Sequence, residues 1–212
     1  MVAVAALQLE DEDGEMPVED HFVHLDGVTW ADYLRLLRIR GDHSAPRMTF
    51  CEGLLEIMSP SRHHESIKSL IGRLVEAFCL ENDIEFSTYG SWTIKEKKHE
   101  RGAEPDECYV IGRGPEGRMP KNPRRPDLAI EVVWTAGGIN KLEVYRKLQV
   151  AEVWYWRRNR LQVYRLRREK YALVERSVVL ANIDLALLVK FLDKPTTSQA
   201  IRDYRKALSK AK

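Results

Sequence analysis

Two Pro-Asp pairs and one glutamate in an apolar run are the residues of this chain best suited to bind a divalent metal ion. The pairs are Pro105-Asp106 and Pro126-Asp127, and the glutamate is Glu131 in the segment "DLAIEVVW". A carboxylate inside such an apolar strand is costly to bury unless it is paired or bound to a metal ion. Glu131 is therefore expected either at a metal site or in an ion pair with an arginine.

Strand geometry decides which aspartate can share a metal ion with Glu131. Asp127 lies on the same strand face but about 13 Å away, whereas one divalent ion needs its ligand oxygens at about 2.0–2.6 Å. Asp127 is thus expected to end the loop before the strand, or to support the site from outside. Asp106 opens the preceding short strand, and neighbouring strands are about 4.8 Å apart. Asp106 is therefore either the partner of Glu131 or an ordinary turn residue after a proline.

A lysine near the acidic pair would orient or deprotonate the attacking water. The strand offers none, because Val132 and Val133 follow Glu131. Lys141 begins the next predicted helix, and the Gly137-Gly138 turn can bring it back over the end of the strand. The other interpretation is that Lys141 is an ordinary solvated helix residue.

The remaining pattern predicts the elements that position these residues. Apolar residues recur every three or four positions in 29–40 and in 59–82, which is typical of amphipathic helices. Residues 47–58 predict a hairpin around Glu52-Gly53. Strands are predicted at 84–95, 104–112, 127–134, 151–158, 161–168 and 171–176, and further helices at 138–150, 182–192 and 197–208. The central order of helix, three strands, helix and strand predicts an α/β fold with a mixed sheet flanked by helices.

The phase of the helix predicted at 59–82 separates two neighbouring residues in its first turns. Counted at about 100° per residue, His64 lies at the edge of the apolar stripe and Glu65 lies opposite it. His64 is therefore expected near the packed face, and Glu65 as a surface or helix-start carboxylate. A zinc site built from His63, His64, Cys79 and Cys108 lacks the usual paired ligand spacing.

The bulk composition describes a soluble globular protein. The chain has 212 residues, 44% hydrophobic and 31% charged, with a formal net charge of +2. We expect an acidic mobile tail at 1–20 followed by one domain at 21–212. Basic segments at 121–125 and 157–170 are compatible with an anionic partner. The chain has neither a signal peptide nor a membrane-spanning run, which predicts a cytoplasmic protein without membrane contact.

Four segments in this order are similar to the Uma2 family, within the PD-(D/E)XK superfamily of restriction-endonuclease-like nucleases. They are "GLLEIMSPSRHHESIKSLIGRLVEAF", "RGAEPDECYVIG", "RPDLAIEVVWTAGGINKLEVY" and "VAEVWYWRRNRLQVYRL". The resemblance implies the same core order of elements and a Mg²⁺ or Mn²⁺ ion. It also implies that Asp106 and Glu131 are the acidic pair, that Lys141 replaces the motif lysine, and that His64 or Glu65 completes the site. The chain departs from the pattern at Val133, which holds the motif lysine position, and at Gln149, where relatives often have glycine.

The function predicted is a metal-dependent DNA endonuclease. Asp106, Glu131 and the backbone carbonyl of Val132 would bind the metal ion, and Lys141 would orient the water. The expected partner is DNA, and a homodimer is compatible with cutting both strands. Two alternatives stay open: a catalytically decayed module that binds nucleic acid or supports assembly, and a hydrolase of some other phosphate substrate.

Overall fold

The strands that the structure describes form two sheets, one of them packed between helices. A computed structural model describes residues 19–113, 116–134 and 138–210. The predicted tail at 1–20 lies outside these residues except for its last two. Among the residues described, no helix is both long enough and apolar enough to span a lipid bilayer.

The first sheet has five strands, in the order β1-β3-β2-β6-β5, and every pairing in it is antiparallel. Its strands are β1 (His21–Leu25), β2 (Arg47–Cys51), β3 (Leu54–Ser59), β5 (Ile94–Glu96) and β6 (Arg101–Ala103). Helix α1 (Trp30–Arg40) packs against β2 and β3 through Trp30, Tyr33 and Leu37. It begins where predicted, because Thr29 and Asp32 form a reciprocal capping box.

The second sheet has six strands in the order β11-β10-β9-β8-β7-β4. Helix α2 (Arg62–Glu81) is followed by the antiparallel strands β4 (Phe86–Thr88), β7 (Glu107–Ile111) and β8 (Leu128–Val132). Helix α3 (Lys141–Lys147) then leads to β9 (Glu152–Arg157), which is parallel to β8. The predicted order of helix, three strands, helix and strand is therefore confirmed, and with it the restriction-endonuclease-like α/β class.

Four elements complete the described chain after β9. They are β10 (Arg160–Arg167), β11 (Lys170–Val174), α4 (Leu185–Val189) and α5 (Thr197–Lys210). Helix α5 lies beside α2, and its Ala200, Tyr204 and Leu208 belong to the core cluster on that side of the second sheet. The sheet is thus covered by helices, which agrees with the near-continuous apolar sequence of β8.

The two faces of β8 point into different cores. Leu128, Ile130 and Val132 pack in the cluster that includes α2, whereas Ala129 packs with Val144 and Tyr145 of α3. Because side chains alternate along a strand, Glu131 points to the same side as Ala129. This alternation aims the carboxylate of Glu131 at α3.

The prediction of one strand at 84–95 is wrong. The segment divides at Gly90, whose φ of 55° turns the chain. Its first half forms β4 in the second sheet, and its second half forms β5 in the first sheet. Strands β1 and β6 were not expected from the sequence. Gln149 adopts φ 58°, a left-handed conformation in which glycine meets no steric penalty.

Candidate metal centre

Asp106 and Glu131 lie beside each other at the end of two paired antiparallel strands. Glu107 of β7 is opposite Ile130 of β8, and the backbone N–H of Asp106 donates to the carbonyl of Ile130 at 3.2 Å. The backbone N–H of Val132 in turn donates to Oδ2 of Asp106 at 2.6 Å. The Asp106 carboxylate is thereby held against the backbone that carries Glu131.

Two residues of α3 bind the Glu131 carboxylate. Nζ of Lys141 lies 2.8 Å from its Oε2, and the hydroxyl of Tyr145 donates to its Oε1. Lys141 and Tyr145 are four positions apart, so both side chains project from the same face of the helix. Glu131 is 1% exposed; the structure thus brings Lys141 to Glu131 as an ion pair.

Burial and charge set the ionisation of this pair. Burial raises the pKa of Glu131; Lys141 opposes the rise, and the nearby Asp106 adds to it. Burial alone would lower the pKa of Lys141, but the carboxylates of Glu131 and Asp106 outweigh it and raise that pKa. Lys141 therefore stays protonated, and its charge opposes the protonation of Glu131 that burial favours.

Two side chains from other elements contact the Asp106 carboxylate. Nε2 of His64 lies 2.9 Å from Oδ2, and Nη1 of Arg47 lies 3.1 Å from Oδ1. Burial would raise the pKa of Asp106, but the hydrogen bond and charge of His64, with the charge of Arg47, lower it well below its usual range. Oδ1 makes no hydrogen bond of regular geometry. Asp106 is therefore a buried, ionised carboxylate with one incompletely satisfied oxygen.

His64 and Glu65 occupy different places in the site. The ring of His64 is buried between Asp106 and Asp20, with Nδ1 2.7 Å from Oδ2 of Asp20. Burial would lower the pKa of His64, but its hydrogen bonds to the two aspartates raise it to about 9. Glu65 reaches the site only indirectly, since its Oε1 lies 2.5 Å from Nη2 of Arg47.

A second buried glutamate, Glu56, lies next to Lys141. Oε2 of Glu56, on β3, lies 2.9 Å from Nε2 of His24 and accepts the backbone N–H of Ile139 at 3.2 Å. A methyl group at Gly138 would lie 2.0 Å from the same oxygen. A side chain at this position would therefore force Glu56 to give up its present position.

A cavity of about 330 Å³ opens beside Glu56 and Lys141. It is lined by Lys141, Val132 and Glu56 together with residues of β1 and β9. Neither Asp106 nor Glu131 is among its lining residues, but Lys141, whose side chain is 14% exposed, connects Glu131 to the open space. A substrate in the cavity would therefore meet Lys141 before the two carboxylates.

The second Pro-Asp lies away from this centre. Asp127 accepts the backbone N–H of Ile111 at 3.0 Å and pairs with Arg113 at 2.5 Å. It secures the loop at the start of β8, at the far end of the strand from Glu131. Cys79 lies in the core cluster beside α2, and His63 is exposed on the surface of α2.

Four residues at or beside the site were not anticipated from the sequence: Asp20, Arg47, Glu56 and Tyr145. Two of them carried a readable signal. Arg47 and Glu56 are charged residues within short apolar strands, which is the same pattern that drew attention to Glu131. Asp20 and Tyr145 carry no such signal, because their roles depend on contacts made only in the folded chain.

The donor set is compatible with Mg²⁺ or Mn²⁺. Within the residues that the structure describes, no group of three or more His, Cys, Asp or Glu side chains is placed to hold a metal ion. Mg²⁺ is usually bound by only one or two carboxylates, together with water and substrate phosphate. Two buried carboxylates on adjacent strands, one with an incompletely satisfied oxygen, meet that requirement.

A comparison with known protein families agrees with the resemblance found in the sequence. The family described as "Uma2: Putative restriction endonuclease" matches residues 30–191, a range that contains the five candidate residues. The fold is also similar to the crystal structure of "a putative nuclease belonging to DUF820 from Anabaena variabilis ATCC 29413". That similarity has 13% sequence identity and a TM-score of 0.47, and it covers 84% of this chain and 99% of the other. No curated protein matches the chain.

Proposed function

Because the chain belongs to the Uma2 family of nuclease-like proteins, we propose that it is a metal-dependent endonuclease acting on DNA. The observation that carries this proposal is the pairing of Asp106 and Glu131 on adjacent strands with Lys141 bound to Glu131. Two buried carboxylates beside an ammonium group that reaches a cavity are suited to hydrolysis of a phosphodiester bond.

The metal ion would be held by Asp106, Glu131 and the backbone carbonyl of Val132. When bound, Mg²⁺ or Mn²⁺ supplies a Lewis acid for the scissile phosphate and lowers the pKa of a water ligand. Arg47 and His64 contribute by keeping Asp106 ionised in a buried position. Tyr145 contributes by fixing the orientation of the Glu131 carboxylate.

Lys141 would act on the water and on the phosphate. Its ammonium group lies at the boundary between the buried carboxylates and the cavity. There it can orient the attacking water and offset negative charge that develops on the phosphate in the transition state. An ammonium group can supply this charge from α3 as well as from the strand, which accounts for Val133 at the motif lysine position.

Two basic segments are suited to bind phosphates, one at the cavity and one at the opposite end of β8. Arg157 lines the cavity, and Arg158 and Arg160 follow it on the exposed turn between β9 and β10. Arg124 and Arg125 are exposed on the loop before β8. Contacts of this kind make DNA binding weaken as the salt concentration rises.

A cleavage assay tests the proposal. Single-stranded and duplex DNA are incubated with the protein in Mg²⁺, in Mn²⁺ and in EDTA. Cleavage is expected only with a metal ion, and Glu131→Gln is expected to abolish it. Asp106→Asn and Asp127→Asn form a matched pair, since each removes the charge of a Pro-Asp aspartate. Only Asp106→Asn is expected to lose cleavage; absence of metal-dependent cleavage by the wild type overturns the proposal.

A non-catalytic nucleic-acid-binding or assembly module is the second candidate function. It is favoured by the internal cations, since Lys141 lies at Glu131 while Arg47 and His64 lie at Asp106. A carboxylate pair neutralised by side chains is stable without a metal ion. Titration with Mn²⁺ distinguishes the two functions, because only the endonuclease requires metal binding that depends on Asp106.

A further inference from the structure

We propose that the cavity above Lys141 is a stacking subsite for one unpaired nucleotide, which makes single-stranded DNA the substrate class. The inference rests on the proposed nuclease function and extends it. It is carried by two exposed aromatic rings at the same cavity, Trp134 and Phe22, together with the cationic groups of Lys141 and Arg157.

Trp134 is an exposed ring that directly follows a residue whose backbone is bonded to β9. Its side chain is 39% exposed, and its indole lies 4.8 Å from the ring of His63, measured between centroids. The preceding residue, Val133, donates its backbone N–H to the carbonyl of Trp156 at 2.9 Å. The indole ring of Trp134 is therefore held against His63, three residues after the buried Glu131.

Phe22 supplies a second exposed ring from the first sheet. It is 38% exposed and stacks on His24, with ring centroids 6.3 Å apart and an interplanar angle of 7°. Large apolar side chains that are exposed together at one cavity indicate a binding surface. On β9, Trp154 and Trp156 are buried in the core, whereas the half-buried Tyr155 lines the cavity.

The charges of the cavity suit an anionic backbone. Lys141 and Arg157 line it, and its two acidic side chains already have partners. Asp20 is paired with His64, and Glu56 is paired with His24. A phosphate near Lys141 therefore meets cationic groups, while a flat ring attached to it can reach the aromatic side chains.

The small size of the cavity favours an unpaired nucleotide over a duplex. A volume of about 330 Å³ is near the lower end for ligand pockets, which hold about 300–1,000 Å³. In a duplex the faces of the bases are covered by their neighbours, so a base can enter a cavity only after leaving the stack. A single strand has no base pair to break when a base enters the cavity, and an aromatic ring can stack on any base through its π face.

Binding in EDTA tests the subsite without requiring cleavage. The probe is a single strand of roughly 12 nucleotides that contains one 2-aminopurine, a base whose fluorescence is quenched when it stacks. Wild-type protein is expected to bind it and quench it. Trp134→Ala is expected to weaken binding about 5- to 100-fold and to remove the quenching, whereas Trp134→Phe retains most of both. Tyr89→Ala is the matched control, since Tyr89 is also an exposed ring paired with another ring but does not line this cavity.

The outcomes separate this inference from the nuclease proposal. Wild-type affinity in Trp134→Ala, or an equal loss of affinity for single-stranded and duplex DNA, overturns the subsite even if the protein cleaves DNA. If the protein binds the single strand through Trp134 but does not cleave DNA, the nuclease function is overturned and the subsite is retained.

Discussion

Raising the pH is predicted to destabilise the metal-free protein through His64. In the folded chain the ring lies between Asp20 and Asp106, which raises its pKa to about 9, while the unfolded chain has the ordinary value of about 6.5. Between these two values the folded state holds one proton more than the unfolded state. The stabilisation is complete below pH 6.5 and is lost as the pH rises through 9. One pKa unit corresponds to about 1.4 kcal/mol, so the loss is about 3 kcal/mol.

Urea denaturation in EDTA at about pH 6.5 and about pH 9.5 measures this loss. The informative quantity is the difference in unfolding free energy between wild type and His64→Gln, because contributions from all other titrating groups cancel. That difference is expected to be about 3 kcal/mol smaller at the higher pH. His63→Gln changes the exposed neighbouring histidine, and its unfolding free energy is expected to fall between the two pH values as that of the wild type does. An equal difference at both pH values refutes the ion pairs assigned to His64.

Two further predictions concern the residues on either side of the site. Lys141→Met leaves the buried Glu131 carboxylate without its cation, so urea denaturation at neutral pH is expected to show a loss of about 3–5 kcal/mol. The loss is expected to shrink as the pH falls and Glu131 takes up a proton, because burial raises its pKa; a loss independent of pH contradicts the ion pair. Gly138→Ala brings a methyl group to 2.0 Å from Oε2 of Glu56 and is expected to destabilise the protein by at least about 1 kcal/mol more than Gly41→Ala. Gly41 shares a positive φ but has no atom within 4 Å of the added carbon, so equal losses would show that the contact with Glu56 is unimportant.

Much of the site was predictable because its geometry is local or set by strand spacing. Strand rise alone excluded Asp127 as the partner of Glu131, and the pairing of adjacent strands places Asp106 beside it. Helix phase alone predicted that His64 faces the packed side. Each of these inferences uses a repeat distance that the backbone fixes wherever the element forms.

The remaining features depend on contacts between distant parts of the chain. Asp20 meets His64 across 44 positions, and Arg47 meets Asp106 because the first sheet lies against the second. No local pattern determines such pairings. The division of 84–95 into β4 and β5 has the same origin. The residues on both sides of Gly90 favour extended structure, and this propensity does not reveal that the chain changes sheets there.

Calorimetric titration of the protein with Mn²⁺ tests the central claim most directly. The proposed centre predicts saturable binding by the wild type, loss of that binding in Asp106→Asn and in Glu131→Gln, and wild-type binding in Asp127→Asn. No binding by the wild type, or binding that Asp106→Asn leaves intact, would contradict the assignment of Asp106 and Glu131 as a metal centre.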